Sequence, residues 1–349
     1  MVKDKPKFDF AISNPPYQKL LSGATITSIY PEFILNASKV SERSTMVHPA
    51  RAFKGAGRNS KEDVEAIMSD NRFGVVENLS NASEIFPSIG LKGGLIITDF
   101  NMLEPSKNGF DGLVSKELDL VSKKVWSKEG YSITESIHSY NNNKISEQAR
   151  EELKDQMIGT PNKENFKTNI FSTLPFMFDF HNYGEEYDTQ NNSLIEVLGA
   201  VNGKRKIGLI KKEYVEASSE WFGKWKVFLP AANGAGKFGE KLSKPVVGGP
   251  NMITTQTFIT FGMFNTEVEA NNCEKYLKTK FMRTLLAQLK TTQHNAKNTW
   301  KFVPDQDYSD NSHIDWSKSI EEIDEQLFNH YGLDDTEKQW IRDNVQEID

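Results

Sequence analysis

Near the N-terminus a short apolar run, KFDFAIS, passes without a break into Asn14, Pro15, Pro16 and Tyr17. Proline has no N–H to give to a sheet and fixes its own φ, so a strand entering two prolines must stop. The junction reads as a buried strand that ends in a rigid turn, and the residues up to about 115 continue in the same alternating manner. Between 25 and 40, Ile29, Phe33, Ile34 and Ala37 recur at the spacing of an amphipathic helix. STMVHPA reads as a second buried strand and KEDVEAIMSD as a charged helix. FGVVENLS and GGLIITDF read as a pair of β-branched strands. Strand, helix, strand, helix, strand, strand is the order of an α/β layer.

Beyond this layer the pattern changes. Residues 116–170 are polar and lysine-rich, with a helix-forming stretch at SEQAREELKDQMIG, and are expected to form a helical connector. From 171 to 300 short aromatic and β-branched runs alternate with glycines, as in a mixed α/β or mostly β module. Within it, EVEANNCEKYLKTKFMRTLLAQLKTT is the strongest helical segment, with Ala270, Tyr276, Leu277, Phe281, Leu285 and Leu289 on one stripe. Residues 301–349 close the chain as two acidic helices around Gly332.

The 349 residues are enough for two domains, and no stretch approaches the length of a membrane span or a signal peptide. A cytoplasmic protein with no membrane partner is expected. The single cysteine, Cys273, can form no internal disulfide and no cysteine-based zinc site, which fits a reducing compartment. The net charge of −6 hides an uneven distribution. Between Gly203 and Lys244 there are ten basic residues, among them Lys204, Arg205, Lys206, Lys211, Lys212, Lys224, Lys226 and Lys237, against four acids. Lys275 to Lys301 adds seven more, including Lys278, Lys280, Arg283, Lys290 and Lys297, and no acid. Phe302 to Asp349 holds fourteen acids against Lys318, Lys338 and Arg342. A basic middle of this kind fits a surface that tracks phosphates. Trp221, Phe222, Trp225 and Phe228 lie within it as residues able to stack on bases, although such residues more often belong to a core.

The Asn-Pro-Pro-Tyr turn suits one chemical problem, the attachment of an electrophilic carbon to an exocyclic amine of a nucleobase. Such an amine is a poor nucleophile because its lone pair is delocalised into the ring. The Asn14 side-chain carbonyl and the Pro15 backbone carbonyl can accept both amine hydrogens, which favours a pyramidal nitrogen. The prolines hold the loop rigid, and the Tyr17 ring can stack on a base turned out of a duplex.

At these residues the sequence resembles the amino-group DNA methyltransferases, most closely the adenine-N6 members of restriction-modification systems, whose catalytic motif is Asn-Pro-Pro-Tyr after a strand. YPEFILNASKV, STMVHPARAFKGAG and EIFPSIGLKGGLIITDFN are similar to the family's following helix, strand and later strand pair. The resemblance gives Asn14, Pro15, Pro16 and Tyr17 the catalytic role and makes Tyr17 and Phe86 base-packing residues. KYLKTKFMRTLLAQLKTTQH and the segment KFVPDQDYSDNSHIDWSKSIEEIDEQLFNHYGL resemble the C-terminal part of a subgroup in which a target-recognition domain follows the methyltransferase core. The implied fold is α/β: a partial class I methyltransferase-like, Rossmann-like sheet at 1–115, the connector at 116–170, a mixed α/β target-recognition domain at 171–300, and acidic C-terminal helices at 301–349. Double-stranded DNA is the implied partner and S-adenosylmethionine the implied methyl donor.

One departure stands beside this resemblance. Family members of this motif order carry a glycine-rich cofactor loop before the Asn-Pro-Pro-Tyr strand, and here thirteen residues precede Asn14. GAGR at 55–58 is misplaced for that loop, and NGAGKFG at 233–239 lies in the expected recognition domain and is a poor P-loop. The chain therefore resembles the second half of a methyltransferase. Its first strand should present a hydrophobic edge, and a second polypeptide or upstream region should carry the cofactor half. The other expectation is a DNA-binding specificity or decoy subunit without catalysis.

Overall fold

The computed structural model describes residues 7–20, 26–54, 61–79, 86, 94–107, 109–110, 116–138, 143–159, 165–186, 193–217, 221–290 and 292–348. They form a mixed α/β protein with three four-stranded sheets and two two-stranded ones.

The first sheet is built from β1 (Phe8–Ser13), β4 (Ser41–Pro49), β5 (Phe73–Leu79) and β6 (Leu95–Asn101), in the order β1-β4-β6-β5. The short strands β2 (Gln18–Leu20) and β3 (Ile26–Ser28) form a separate pair after the Pro-Pro turn. Helices α1 (Tyr30–Val40) and α2 (Lys61–Ser69) fall where the apolar spacing places them. Pro31 sits in the first turn of α1, where a missing N–H costs no intrahelical bond, and Ser41 closes the helix by donating to Ala37 O at 2.8 Å. β1 and β4 are parallel, with Phe10 opposite Arg43 and Ile12 opposite Thr45. β6 runs antiparallel to both β4 and β5. Side chains alternate between the faces, so Ser44, Met46 and His48 of β4 and Ile96, Thr98 and Phe100 of β6 share one buried face, and Tyr30, Ile34 and Ala37 of α1 are buried in the same unit. On the other face Phe8, Phe10 and Ile12 of β1 are 59%, 51% and 80% exposed. Among the described residues β1 pairs with β4 alone, so one edge and one apolar face of a parallel strand are left uncovered.

The rest of the chain forms two further sheets and a helical layer. Helix α3 (Lys116–Trp126), β7 (Ile137–His138), β8 (Asn143–Ile145), α4 (Glu147–Glu152) and α5 (Ile170–Thr173) come from the segment expected as a connector or its border. β9 (Asp179–Asn182), β10 (Leu194–Val201) and β11 (Lys204–Lys211) belong to a sheet ordered β15-β10-β11-β9, while β12 (Val215–Ala217) pairs with β8. β13 (Trp225–Pro230), β14 (Val246–Gly248) and β16 (Phe258–Phe264) form the third sheet with β7, and β15 (Met252–Thr254) adds to β10 in parallel. Val121 and Val125 of α3 are buried in one core with residues of β13, β16 and the C-terminal helices. The residues expected as a connector are therefore structural parts of the C-terminal half.

The long helical stripe is broken in two, α6 (Glu267–Tyr276) and α7 (Lys280–Leu286). Thr279 is the reason: its side chain accepts from Met282 N–H at 3.2 Å, capping a new helix instead of continuing the old one. Asp324 of α8 (Ile320–His330) accepts from the N–H groups of Lys280 and Phe281 at 2.9 and 2.8 Å, which satisfies two more donors at that start. α6, α8 and α9 (Asp335–Asn344) each begin with a reciprocal capping box, Thr266 with Glu269, Ser319 with Glu322 and Asp334 with Glu337. No described helix is long and apolar enough to cross a membrane.

The uncovered face has a measurable consequence. Replacing Ile12, 80% exposed, by Lys should change the free energy of unfolding by no more than about 0.5 kcal/mol, because little of that side chain leaves water on folding. Phe100→Ala, in the buried face of the same sheet, should cost about 3–5 kcal/mol in the same urea titration.

Candidate functional site

Asn14 to Tyr17 leave the carboxyl end of β1, with Asn14 and Pro16 exposed, Pro15 buried and Tyr17 half-buried. The β2–β3 pair folds back beside the turn, and Ile29 N–H donates to Tyr17 O at 3.3 Å. Because β1 and β4 are parallel, the loop after β4 emerges at the same end of the sheet. Two contacts join the regions. The Tyr30 hydroxyl accepts from Ala52 N–H at 3.0 Å, and the Arg51 guanidinium lies against the Gln18 side-chain amide. Burial pushes the Tyr17 phenol up, and its interaction with the Asn14 side chain offsets part of that rise. The exposed amide of Asn14 thus stands next to a protonated, half-buried phenol.

Beneath the turn runs a series of packed rings. Tyr17 meets Tyr30 edge-on at 6.3 Å, Tyr30 stacks on His48 at 5.0 Å, His48 packs on Phe53 at 5.3 Å, and Phe53 stacks on Phe110 at 5.4 Å. The His48 ring nitrogens face Thr98 Oγ1 at 2.9 Å and Pro49 O at 3.3 Å. Burial holds the imidazole down to about 4, so it is neutral at pH 7. Lys54, on the same loop, is lowered to about 8 by burial. His48, Arg51, Phe53, Lys54 and Phe110 complete this region and are not among the site residues expected from the sequence. The signal in the sequence is the basic and aromatic run RAFK directly after the strand STMVHPA. Phe86 is half-buried and outside any element, with 80–85 and 87–93 lying outside the described residues, and the ring that Tyr17 touches is that of Tyr30.

The structure sorts the basic residues, and many of those expected to hold DNA serve the fold. Lys226 is 0% exposed, and its Nζ donates to Trp221 O at 2.8 Å and Lys224 O at 2.7 Å, with burial lowering the amine to about 7. Lys290 is buried and ion-paired with Glu240 at 2.5 Å. Arg283 is buried, donating to Thr279 O at 3.3 Å. Lys280 pairs with Glu347 at 2.5 Å, Lys278 pairs with Glu274, Lys224 donates to Asn265, and Lys297 donates to Ile137 O at 3.1 Å. A cavity of about 330 Å³ between α7, α8 and the C-terminal residues is lined by Lys278, Lys280, Arg283 and Arg342; the two lysines and Arg342 are ion-paired, while Arg283 is held through Nε alone and its buried Nη1 has no hydrogen-bond partner. Of the aromatic residues considered for stacking, Trp221 and Phe228 are core. Lys204, Arg205, Lys206, Lys211, Lys212 and Lys237 keep surface positions, Lys211 with Glu213 at 3.6 Å and Lys212 over the Phe222 ring at 5.0 Å.

The glycine-rich stretch NGAGKFG forms an anion nest that is already filled. The Glu240 carboxylate accepts from the N–H groups of Ala235 at 2.7 Å, Gly236 at 3.0 Å and Lys237 at 3.3 Å, in addition to Lys290. Gly234 (φ 67°) and Gly236 (φ 79°) supply the left-handed backbone that turns these donors inward.

No family model matches the chain, and no curated protein matches it. Among solved structures, it is similar to the type IIL restriction-modification enzyme MmeI in complex with DNA, at a TM-score of 0.42 and 8% identity. The alignment covers 96% of this chain and 56% of that one, so the chain spans about half the length of its structural neighbour.

Two stability measurements test these assignments. Glu240→Ala should cost about 3 kcal/mol, since it leaves the Lys290 ammonium buried without its counter-charge; a loss under about 1 kcal/mol would show the nest to be solvated. The His48 pKa is lower in the folded chain than the 6.5 of an unperturbed imidazole, so the unfolded chain takes up a proton that the folded chain refuses. Its contribution is complete above pH 6.5 and is lost as the pH falls to about 4, amounting to about 3 kcal/mol. His48→Gln should flatten the pH dependence of urea midpoints in that window.

Proposed function

We propose that the chain is the base-holding and DNA-binding half of an adenine-N6 DNA methyltransferase of a restriction-modification system. The observation that carries this reading is the position of Asn14–Tyr17 at the carboxyl end of β1, beside the loop that follows the parallel strand β4. In open α/β sheets ligands sit beyond the carboxyl ends of the strands, where neighbouring loops diverge. There the Asn14 side-chain carbonyl and the Pro15 backbone carbonyl accept the two hydrogens of the adenine amine, and the lone pair is freed toward the incoming carbon. Tyr17, backed by Tyr30, offers a ring to a base turned out of the duplex. The surface cations of the later sheets hold the phosphates.

The described residues do not fit S-adenosylmethionine on this chain alone. Of the two glycine-rich stretches, 55–58 lies outside the described residues and 233–239 is filled by the Glu240 carboxylate. The side of β1 turned away from β4 has no strand beside it among the described residues. In this reading a companion α/β half pairs with that edge and supplies the donor pocket.

Methyl transfer to adenine in duplex DNA, assayed with the chain and the polypeptides that co-purify with it, tests the reading. Asn14→Ala should lower the rate at least about tenfold while leaving DNA affinity within about twofold. Equal rates would remove Asn14 from the chemistry. Duplex binding with no methylation in any preparation would replace the proposal with a DNA-binding specificity subunit.

A further inference from the structure

The hairpin β10–β11 turns on Asn202 (φ 51°) and Gly203 (φ 76°), and both residues in the left-handed region make a tight two-residue turn. Directly after it come Lys204, Arg205 and Lys206. Most of the other cations of the basic middle are held by acids or buried carbonyls; these three form no ion pair among the described residues. Their positions are nonetheless ordered. The Arg205 guanidinium lies 5.6 Å from the Tyr183 ring centroid and 6.0 Å from that of Phe258, and its Nη2 donates to Lys244 O at 2.7 Å. Lys206 Nζ donates to Asn182 Oδ1 at 2.6 Å. Asn182 ends the edge strand β9, which also carries Phe180 opposite Gly208. Tyr183 and Phe180 are 43% and 36% exposed.

We infer that this hairpin tip, with the β9 edge beside it, is the element that enters a groove of double-stranded DNA; the inference rests on the reading of the chain as DNA-binding and names the surface that does it. A two-stranded ribbon fits the width of the major groove. The aromatic rings hold the planar Arg205 fork in place before binding, as suits a side chain that reads a base edge. Lys204 and Lys206 lie on the opposite side of β11 from Arg205, because strand side chains alternate, and they take the flanking phosphates. Opposite charge selects a polyanion for this surface, and the exposed rings give it apolar contact with sugars and base edges.

Binding of the full chain to short duplexes, followed by fluorescence anisotropy at several salt concentrations, tests the inference. Replacing Lys204 and Lys206 together by Gln should reduce the slope of log affinity against log salt by about two, near 0.9 for each phosphate that is no longer neutralised. Arg205→Ala should weaken binding to a preferred sequence about tenfold or more with a smaller change of slope. Because Arg205 packs on Tyr183 and Phe258, and Lys206 bonds to Asn182, both tip variants are checked by urea unfolding. Removing two charges at Lys318 and Lys338 should leave the slope unchanged. Unchanged affinity and slope in both tip variants, with the parent chain binding normally, would overturn the hairpin assignment and leave the proposed function standing. A parent chain without salt-dependent duplex binding would overturn both.

Discussion

A charge taken out of water must find its partner inside the protein, and this requirement organises the C-terminal two thirds of the chain. Lys290 reaches the Glu240 carboxylate, which in turn holds the NGAGKFG loop through its backbone N–H groups. Lys226 has its ammonium on the carbonyls of Trp221 and Lys224. Asp324, raised to about 7 by burial, caps α7 and thereby joins α8 to it. Each bond joins segments that are distant in sequence or irregular in backbone. Together they turn a basic stretch into a set of internal braces, with few cations left for an external partner.

The N-terminal sheet depends on a different constraint, the parallel pairing of β1 with β4. Parallel strands bring their following loops to one end, so the Asn-Pro-Pro-Tyr turn and the Pro49–Lys54 loop become neighbours without any direct bond between β1 and that loop. The stack Tyr30, His48, Phe53, Phe110 then gives the site a rigid floor, and a neutral imidazole in its centre avoids a buried charge there. Among the described residues the same pairing leaves the other edge of β1 and its Phe8, Phe10 and Ile12 uncovered. A strand that combines an open edge with three exposed apolar side chains is unfinished in the sense that buried parallel sheets are not.

Much of the local structure was readable from the residues. The Pro-Pro junction marked the end of β1, and the apolar spacing placed α1. Other features were hidden. The stripe from Ala270 to Leu289 is continuous in sequence, and only the competition of Thr279 for the backbone, assisted by Asp324, divides it. Residues 116–170 look like a connector because their composition is polar, yet Val121, Val125, Ile133 and Ile137 are enough to bind them into the C-terminal core. Sparse apolar residues in a polar segment give a weak periodic signal, and their burial depends on the elements that pack against them.

By itself the sequence determined the α/β alternation of the N-terminal layer and the rigid Asn14–Tyr17 turn, because proline geometry and side-chain period are set within a few residues. It also determined that the middle of the chain is basic. Which of those cations face water was decided by tertiary structure alone, since Lys226 and Lys204 are chemically the same residue until one of them is enclosed by Trp221 and Pro250. Tertiary structure likewise decided that Arg51 stands beside Gln18 and Tyr30 beside Tyr17, and that β1 lies at an edge among the described strands. Those outcomes come from pairing between distant segments, whose energies depend on burial and not on local sequence.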